Sequence, residues 1–193
     1  EQRKLGDICK VQGGGTPSSQ SSRYWGGDIN WFTPTEVFNN GFLNRSKRRI
    51  TSIGLKNSSA KLMTSGTVLM TSRAGVGDMA ILSEPSATNQ GFQSLIPNKG
   101  IFSYFLYSMH DEISKEANRL ASGSTFTEIS NKQVNKINVF IPIAANERKL
   151  IANFFKYYDF YIAANEFKHL FDVIYINYKN LRLFLKITFF VKR

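Results

Sequence analysis

The last quarter of the chain restricts its possible folds more than any other segment. From Ile143 to Arg193 there is neither glycine nor proline, and half of all the aromatic residues fall between Phe154 and Phe190. Ile151, Phe155, Tyr158 and Ile162 recur at 4-3-4 spacing, and Leu170, Ile174, Asn177, Leu181 and Phe184 at 4-3-4-3. That periodicity marks one apolar stripe along a helix. Asn165 and His169 stand on the connecting positions, where the seam turns polar. The segment predicts a single helix of roughly 40 residues, about 60 Å long at 1.5 Å per residue. A stripe of that length cannot be buried on a domain of about 140 residues, so most of it must meet another helix. The chain holds no second long periodic segment. The pairing positions Ile151, Phe155, Tyr158, Ile162, Leu170, Ile174 and Leu181 are therefore expected to meet a helix of another copy or of a missing half.

Residues 1–142 read differently. Gly13-Gly14-Gly15-Thr16-Pro17-Ser18-Ser19 predicts a loop, and Trp25-Gly26-Gly27-Asp28 a turn. Ile29-Asn30-Trp31 and Thr67-Val68-Leu69-Met70-Thr71 predict strands, the second followed by a tight connection over Arg73–Asp78 and a return strand at Met79-Ala80-Ile81-Leu82. Phe102, Phe105, Leu106, Met109, Ile113, Ala117 and Leu120 recur at helical spacing, with Gly123 where a helix should stop. Ile137, Val139 and Ile141 alternate with Asn138 and Phe140, as in a strand with one buried face. The expectation is an α+β fold: a globular domain over 1–142 with a twisted β-sheet and short helices, then a long coiled-coil-forming helix over 143–193.

Charge bears on function. With 25 Lys and Arg against 14 Asp and Glu, the formal net charge is +11, which excludes an acidic disordered tail. One cysteine, Cys9, allows no internal disulfide and fits a reducing compartment. Residues Glu1–Asp7 contain no apolar stretch, so no secretory leader is expected, and no run is long enough to span a membrane. A cytoplasmic location follows as the expectation, and the missing initiator Met suggests a piece of a longer chain. Between Glu36 and Asp78 there is no carboxylate, while Arg45, Lys47, Arg48, Arg49, Lys56, Lys61 and Arg73 lie in that interval among small polar residues. Such clustering suits a polyanion surface, above all nucleic acid, or else a solvated loop.

Enzyme readings find little support. Cys9, His110 and His169 are isolated, so no metal site is expected. Gly13-Gly14-Gly15-Thr16 lacks the lysine of a phosphate-binding loop, and there is no nucleophile elbow or dinucleotide fingerprint. The acidic residues are scattered, without a nuclease cluster. Binding is the leading class.

Six motifs in order sharpen this. They are Lys4-Leu5-Gly6-Asp7-Ile8 with Gly14-Gly15-Thr16-Pro17-Ser18; Tyr24-Trp25-Gly26-Gly27-Asp28-Ile29-Asn30-Trp31; Ser58-Ser59-Ala60-Lys61-Leu62 with Gly66-Thr67-Val68-Leu69; Ser72-Arg73-Ala74-Gly75-Val76-Gly77; Thr88-Asn89-Gln90-Gly91-Phe92; and Gly123-Ser124-Thr125-Phe126-Thr127-Glu128-Ile129-Ser130. Together they resemble a target recognition domain of the specificity subunits of type I restriction–modification enzymes. The helix entry from Ile141-Pro142 to Ala152 resembles the family's conserved helical region, with Arg148 where Gln is common.

The resemblance implies a non-catalytic half-subunit: one DNA-reading head and one spacer helix, pairing with a copy of itself or with a second half. It implies double-stranded DNA, modification (methyltransferase) subunits and a restriction/motor subunit as partners. S-adenosylmethionine, ATP and Mg would be bound by those partner subunits and not by this chain. Arg45, Lys47, Arg48, Arg49 and Lys61 would grip phosphates. Arg73, Asn89, Gln90, Ser124 and Thr125 would be candidate base readers, although Asn89-Gln90-Gly91 reads equally as a hydrogen-bonded turn and Ser124-Thr125 as a cap. The stretch from Val37 to Lys56 is equally open as the home of the readers. Rival readings are an autonomous nuclease or methyltransferase fragment, an RNA-binding protein and an assembly adaptor that reads no DNA.

Overall fold

A computed structural model describes residues 1–37, 41–73, 75–121, 127–165 and 168. The chain divides into two units, Glu1–Ala152 and Asn153–Arg193. The first is an α+β unit built on three β-sheets. Strands β1 (Gln2–Lys4) and β10 (Asn138–Phe140) pair antiparallel, and a five-stranded sheet runs in the order β2 (Cys9–Gly13), β9 (Gln93–Pro97), β6 (Val68–Met70), β7 (Met79–Leu82), β4 (Phe42–Leu43). A third sheet sets β3 (Trp25–Phe32) between antiparallel β5 (Arg48–Ile50) and parallel β8 (Ser86–Thr88). Short helices α1 (Leu5–Ile8), α2 (Ser52–Lys56), α3 (Ser103–Ser108), α4 (His110–Leu120) and α5 (Asn131–Val134) surround them.

The main core lies where the five-stranded sheet meets α1, α3, α4 and β10, with Leu5, Val68, Met70, Leu95, Leu106, Ile113 and Val139 all buried. A smaller cluster around Trp31, Ile50, Ala60 and Ala87 backs the third sheet. The alternation at the end of the unit is realised: Ile137, Val139 and Ile141 are buried, while Asn138 and Phe140 are exposed. The β6–β7 pair forms as its apolar runs predict, closed by a turn in which Gly75 and Gly77 take φ of 103° and 100°.

Two local expectations are corrected. Trp25-Gly26-Gly27-Asp28 is not a separate turn but the first half of β3, where the register against β5 shifts between Trp25 and Ile29. Gly26 at φ 76° supplies the bulge, and a Cβ on Gly27 would stand 2.5 Å from the Thr51 Cα, so the glycines serve close strand approach. The periodic segment from Phe102 to Leu120 is two helices, because the chain leaves helical geometry at Met109 (ψ 15°). The second helix is held against the β6–β7 connection: a Cβ on Gly77 would lie 2.8 Å from the Ser114 Cα, and the Asn118 amide donates to the Val76 carbonyl at 2.8 Å. A tertiary contact thus sets the direction of α4, and helical spacing carries no trace of it. Gly123 lies outside the described residues.

Residues 145–165 form a sixth helix, α6. At its entry the Arg148 guanidinium donates to three carbonyls, from Nε to Gly100 at 2.9 Å and from Nη1 to Pro142 at 2.6 Å and Ile143 at 2.8 Å. Beyond it Phe154, Phe155, Tyr157, Tyr158, Phe160, Tyr161 and Ile162 are all exposed, Phe160 by 74%. Of the expected pairing positions, Ile151 is half-buried and Phe155, Tyr158 and Ile162 are exposed. Leu170, Ile174 and Leu181 lie outside the described residues. No helix among the described residues is long and apolar enough to cross a membrane.

Cys9 is 1% exposed, and its thiol donates to the Leu5 carbonyl at 3.1 Å. Burial pushes its pKa from 9.0 up to about 12. The neutral thiol therefore favours the fold fully below the ordinary thiol range, and this contribution fades as pH rises toward 12. Because the thiolate is the reactive form, native protein at pH 8 should label with a thiol-specific disulfide reagent far more slowly than protein unfolded in guanidinium. Equal labelling rates in the two states would contradict the buried placement.

Candidate nucleic-acid interface

The acid-free stretch is held in place by hydrogen bonds to its backbone and to Ser46. Asn30, buried in the middle of β3, accepts at Oδ1 from the Ser46 backbone N–H at 3.2 Å and from the Ser46 hydroxyl at 3.1 Å. Its amide group donates to the Asn44 carbonyl at 3.2 Å and to the Glu84 carboxylate. The Ser46 hydroxyl in turn accepts from the Trp31 N–H at 2.9 Å. At the edge of the stretch, buried Glu36 accepts from the Lys47 N–H at 2.6 Å and from the Thr33 N–H and hydroxyl, each at 2.8 Å. The segment 44–49 is thereby fixed as an arch on the third sheet, with the side chains of Arg45, Lys47 and Arg48 exposed.

The cations differ in how they are engaged. None of Arg45, Lys47, Arg48, Arg49, Lys61 or Arg73 forms an ion pair among the described residues. Arg48 lies on an indole, its guanidinium carbon 3.6 Å from the Trp25 ring centroid and 5.5 Å from that of Trp31. Arg49 is half-buried and donates from Nη2 to the Asp28 carbonyl at 2.7 Å, while its Nε is buried without a partner. Lys61 is exposed. Arg73 is half-buried and bridges Glu128 through the backbone, on the β6–β7 connection.

Motifs far apart in sequence meet beside this arch. A Cβ on Gly14 would stand 2.1 Å from the Asn89 carbonyl oxygen, and one on Gly15 would stand 2.5 Å from the Ala60 nitrogen, so only glycines thread this gap. The Gly15 N–H donates to the Thr88 carbonyl at 2.9 Å, and the Trp31 indole donates to the Gly15 carbonyl at 2.9 Å. Thr16 donates from its hydroxyl to Gln90 Oε1 at 2.6 Å. Asn89 accepts at Oδ1 from the Gly91 N–H at 2.8 Å, the hydrogen-bonded turn that sequence left open. The Ser72 N–H reaches the Gly91 carbonyl at 2.8 Å, which draws the Arg73 connection alongside. Ser124 and Thr125 lie outside the described residues. Sequence reasoning missed Asn30, Ser46 and Glu36 as anchors. A lone amide between Ile29 and Trp31 in an apolar strand was the available signal.

Residues 1–170 match the type I restriction modification DNA specificity domain. The chain belongs to this family. It is 37% identical over 161 residues to the MjaIX specificity subunit of Methanocaldococcus jannaschii, and 26% identical over 158 residues to the EcoR124I/EcoR124II specificity subunit of Escherichia coli. These alignments take in 81% and 78% of this chain but 37% and 39% of the two relatives, so the chain spans about two-fifths of their length. The HsdS subunit of Thermoanaerobacter tengcongensis shares the fold at a TM-score of 0.61 and 20% identity, over 85% of this chain and 38% of that one. In this specificity domain, the Gly14-Gly15-Thr16, Trp31 and Asn89-Gln90-Gly91 elements hold one another, and the Trp31 N–H ties them to Ser46 of the cationic arch.

The anchoring amide can be tested directly. Asn30→Ala leaves the Ser46 N–H without its acceptor in a buried setting, and should lower unfolding stability by about 2 kcal/mol or more in urea titration. Amide exchange at 44–49 should accelerate in the same variant. A loss below about 0.5 kcal/mol, within the range of ordinary surface substitutions, would remove Asn30 as the anchor.

Proposed function

We propose that the chain reads double-stranded DNA as the specificity subunit, or half-subunit, of a type I restriction–modification complex. Adenine methylation and cleavage would be directed by this chain and carried out by partner subunits. The observation that carries the reading is the arch at 44–49, whose cations lack ion-pair partners among the described residues, with Arg45, Lys47 and Arg48 exposed on the third sheet. Carboxylate-paired cations would have to give up those partners to meet phosphate, whereas these do not. Arg45, Lys47 and Lys61 serve as phosphate contacts, setting register and affinity without sequence choice.

The chain itself is non-catalytic on this reading. S-adenosylmethionine, ATP and Mg belong to the modification and motor subunits, and the site of action is the cytoplasm. The exposed aromatic face of α6 supplies the contact for a second copy or second half, giving two reading heads on one split site.

Two measurements test this. Fluorescence anisotropy titration of a duplex between 50 and 200 mM salt should give steep salt dependence, with Lys47→Ala lowering the slope by about one for every duplex sequence. Affinity independent of salt, or a preference for single strands or RNA duplex, would overturn the reading. Sedimentation equilibrium at micromolar concentration should show self-association that Tyr158→Glu abolishes, because a carboxylate in a helix–helix seam must be desolvated. A wild-type monomer throughout would exclude pairing with a copy and leave only a second half as the partner.

A further inference from the structure

Arg48 stands apart from its neighbours in the arch. It sits in β5 directly opposite Trp31, so both side chains rise from one face of the ladder. Trp25 and Trp31 meet edge to face, with centroids 5.0 Å apart and planes at 87°, and the Arg48 guanidinium rests in that corner. Each indole is tethered by its N–H. The Trp25 N–H donates to the Ser18 carbonyl at 3.1 Å and the Trp31 N–H to the Gly15 carbonyl at 2.9 Å.

A cation–π contact at 3.6 Å from the ring centroid takes up none of the guanidinium's N–H donors in hydrogen bonds. No hydrogen bond or ion pair takes any of them among the described residues, although the side chain is exposed. By contrast, Arg49 has spent a donor on the Asp28 carbonyl and Arg148 has spent its donors on three carbonyls. Arg48 is thus a planar fork whose position over the indoles is set before any ligand arrives. Phosphate oxygens also accept such a fork, but exposed Arg45 and Lys47 flank the position and supply cations for that purpose. Two acceptors fixed in one plane on a base edge gain most from a fork held in place beforehand. The O6 and N7 atoms of guanine in the major groove present that pattern.

We propose that Arg48 is a base-reading residue that takes the O6/N7 edge of one guanine in the target, with Trp25 as its backing plate. The assignment rests on the duplex-reading function proposed above. In the test, the full 193-residue chain selects its preferred site from random duplexes. Each guanine of that site is then replaced in turn by 7-deazaguanine, which keeps base pairing and removes the N7 acceptor.

One replacement should weaken wild-type binding about fivefold or more. R48K, and more so R48A, should bind the unmodified site less tightly and lose sensitivity at that one guanine alone. W25L should fall between R48K and wild type. Circular dichroism matching wild type establishes that each variant folds. If no guanine is sensitive in the wild type, the assignment is wrong, and this arm depends on no variant. If R48A keeps every base preference and only lowers the salt slope by about one, Arg48 is a phosphate anchor and the assignment is also wrong. Selection by the wild type that enriches no sequence would overturn duplex reading itself, and the role of Arg48 with it.

Discussion

The buried amide of Asn30 is the interaction on which the cationic face depends. Across the acid-free stretch no carboxylate is available to hold a cation by charge, so the backbone itself must be held instead. Asn30 does this from inside β3 by gripping both the N–H and the hydroxyl of Ser46. Glu36, the last carboxylate before the gap, spends its oxygens on the N–H groups of Thr33 and Lys47 and on the Thr33 hydroxyl. It therefore fixes the arch and neutralises no neighbouring cation by direct pairing. A buried carboxylate satisfied by such donors is stable without an ion pair. Positive charge stands at the surface because the chain beneath it is fixed by hydrogen bonds and not by ion pairs with its cations.

The same division of labour separates the glycine-rich motifs from the arch. Gly14 and Gly15 lie so close to Asn89 and Ala60 that any side chain there would collide with backbone. Trp31 caps that contact with its indole N–H and presents its ring to Arg48 on the other side. The Gly-Gly-Thr and Asn-Gln-Gly elements are thus the footing of the sheet. Asn89 uses its side-chain acceptor inside its own turn, and Gln90 accepts from Thr16. The packing requires their spacing, while the exposed side chains of Arg45 and Lys47 take no part in it.

Much of the fold was legible because it rests on local pattern. The apolar runs at Val68–Met70 and Met79–Leu82 with glycines between them announce a hairpin, and the alternation at 137–141 announces a one-faced strand. What was not legible depends on distant partners. Gly26 and Gly27 read as a turn because their reason, the close approach of Thr51, lies across the sheet. The interruption at Met109 carries no glycine or proline, since α4 is directed by Gly77 and Val76 of the β6–β7 connection. The cations of the site were visible in the charge pattern, but which of them is clamped was not. That depends on a β3–β5 register no periodicity specifies.

The two ends of the first unit are joined by the same economy of backbone pairing. Arg3 lies opposite Val139 in the β1–β10 ladder, and Glu1 and Ile141 exchange both backbone hydrogen bonds, at 2.8 and 2.9 Å. Leu5 extends the pairing to the Ile137 carbonyl at 2.8 Å. Entry and exit of this pairing therefore lie side by side, and the buried core of the first unit runs from Leu5 to Ala152. A unit closed in this way can be joined to further chain at either end without disturbing its interior, because no core strand is interrupted. The cationic arch at 44–49 takes no part in that ladder, so the closure of the unit and the exposed cations rest on separate sets of hydrogen bonds.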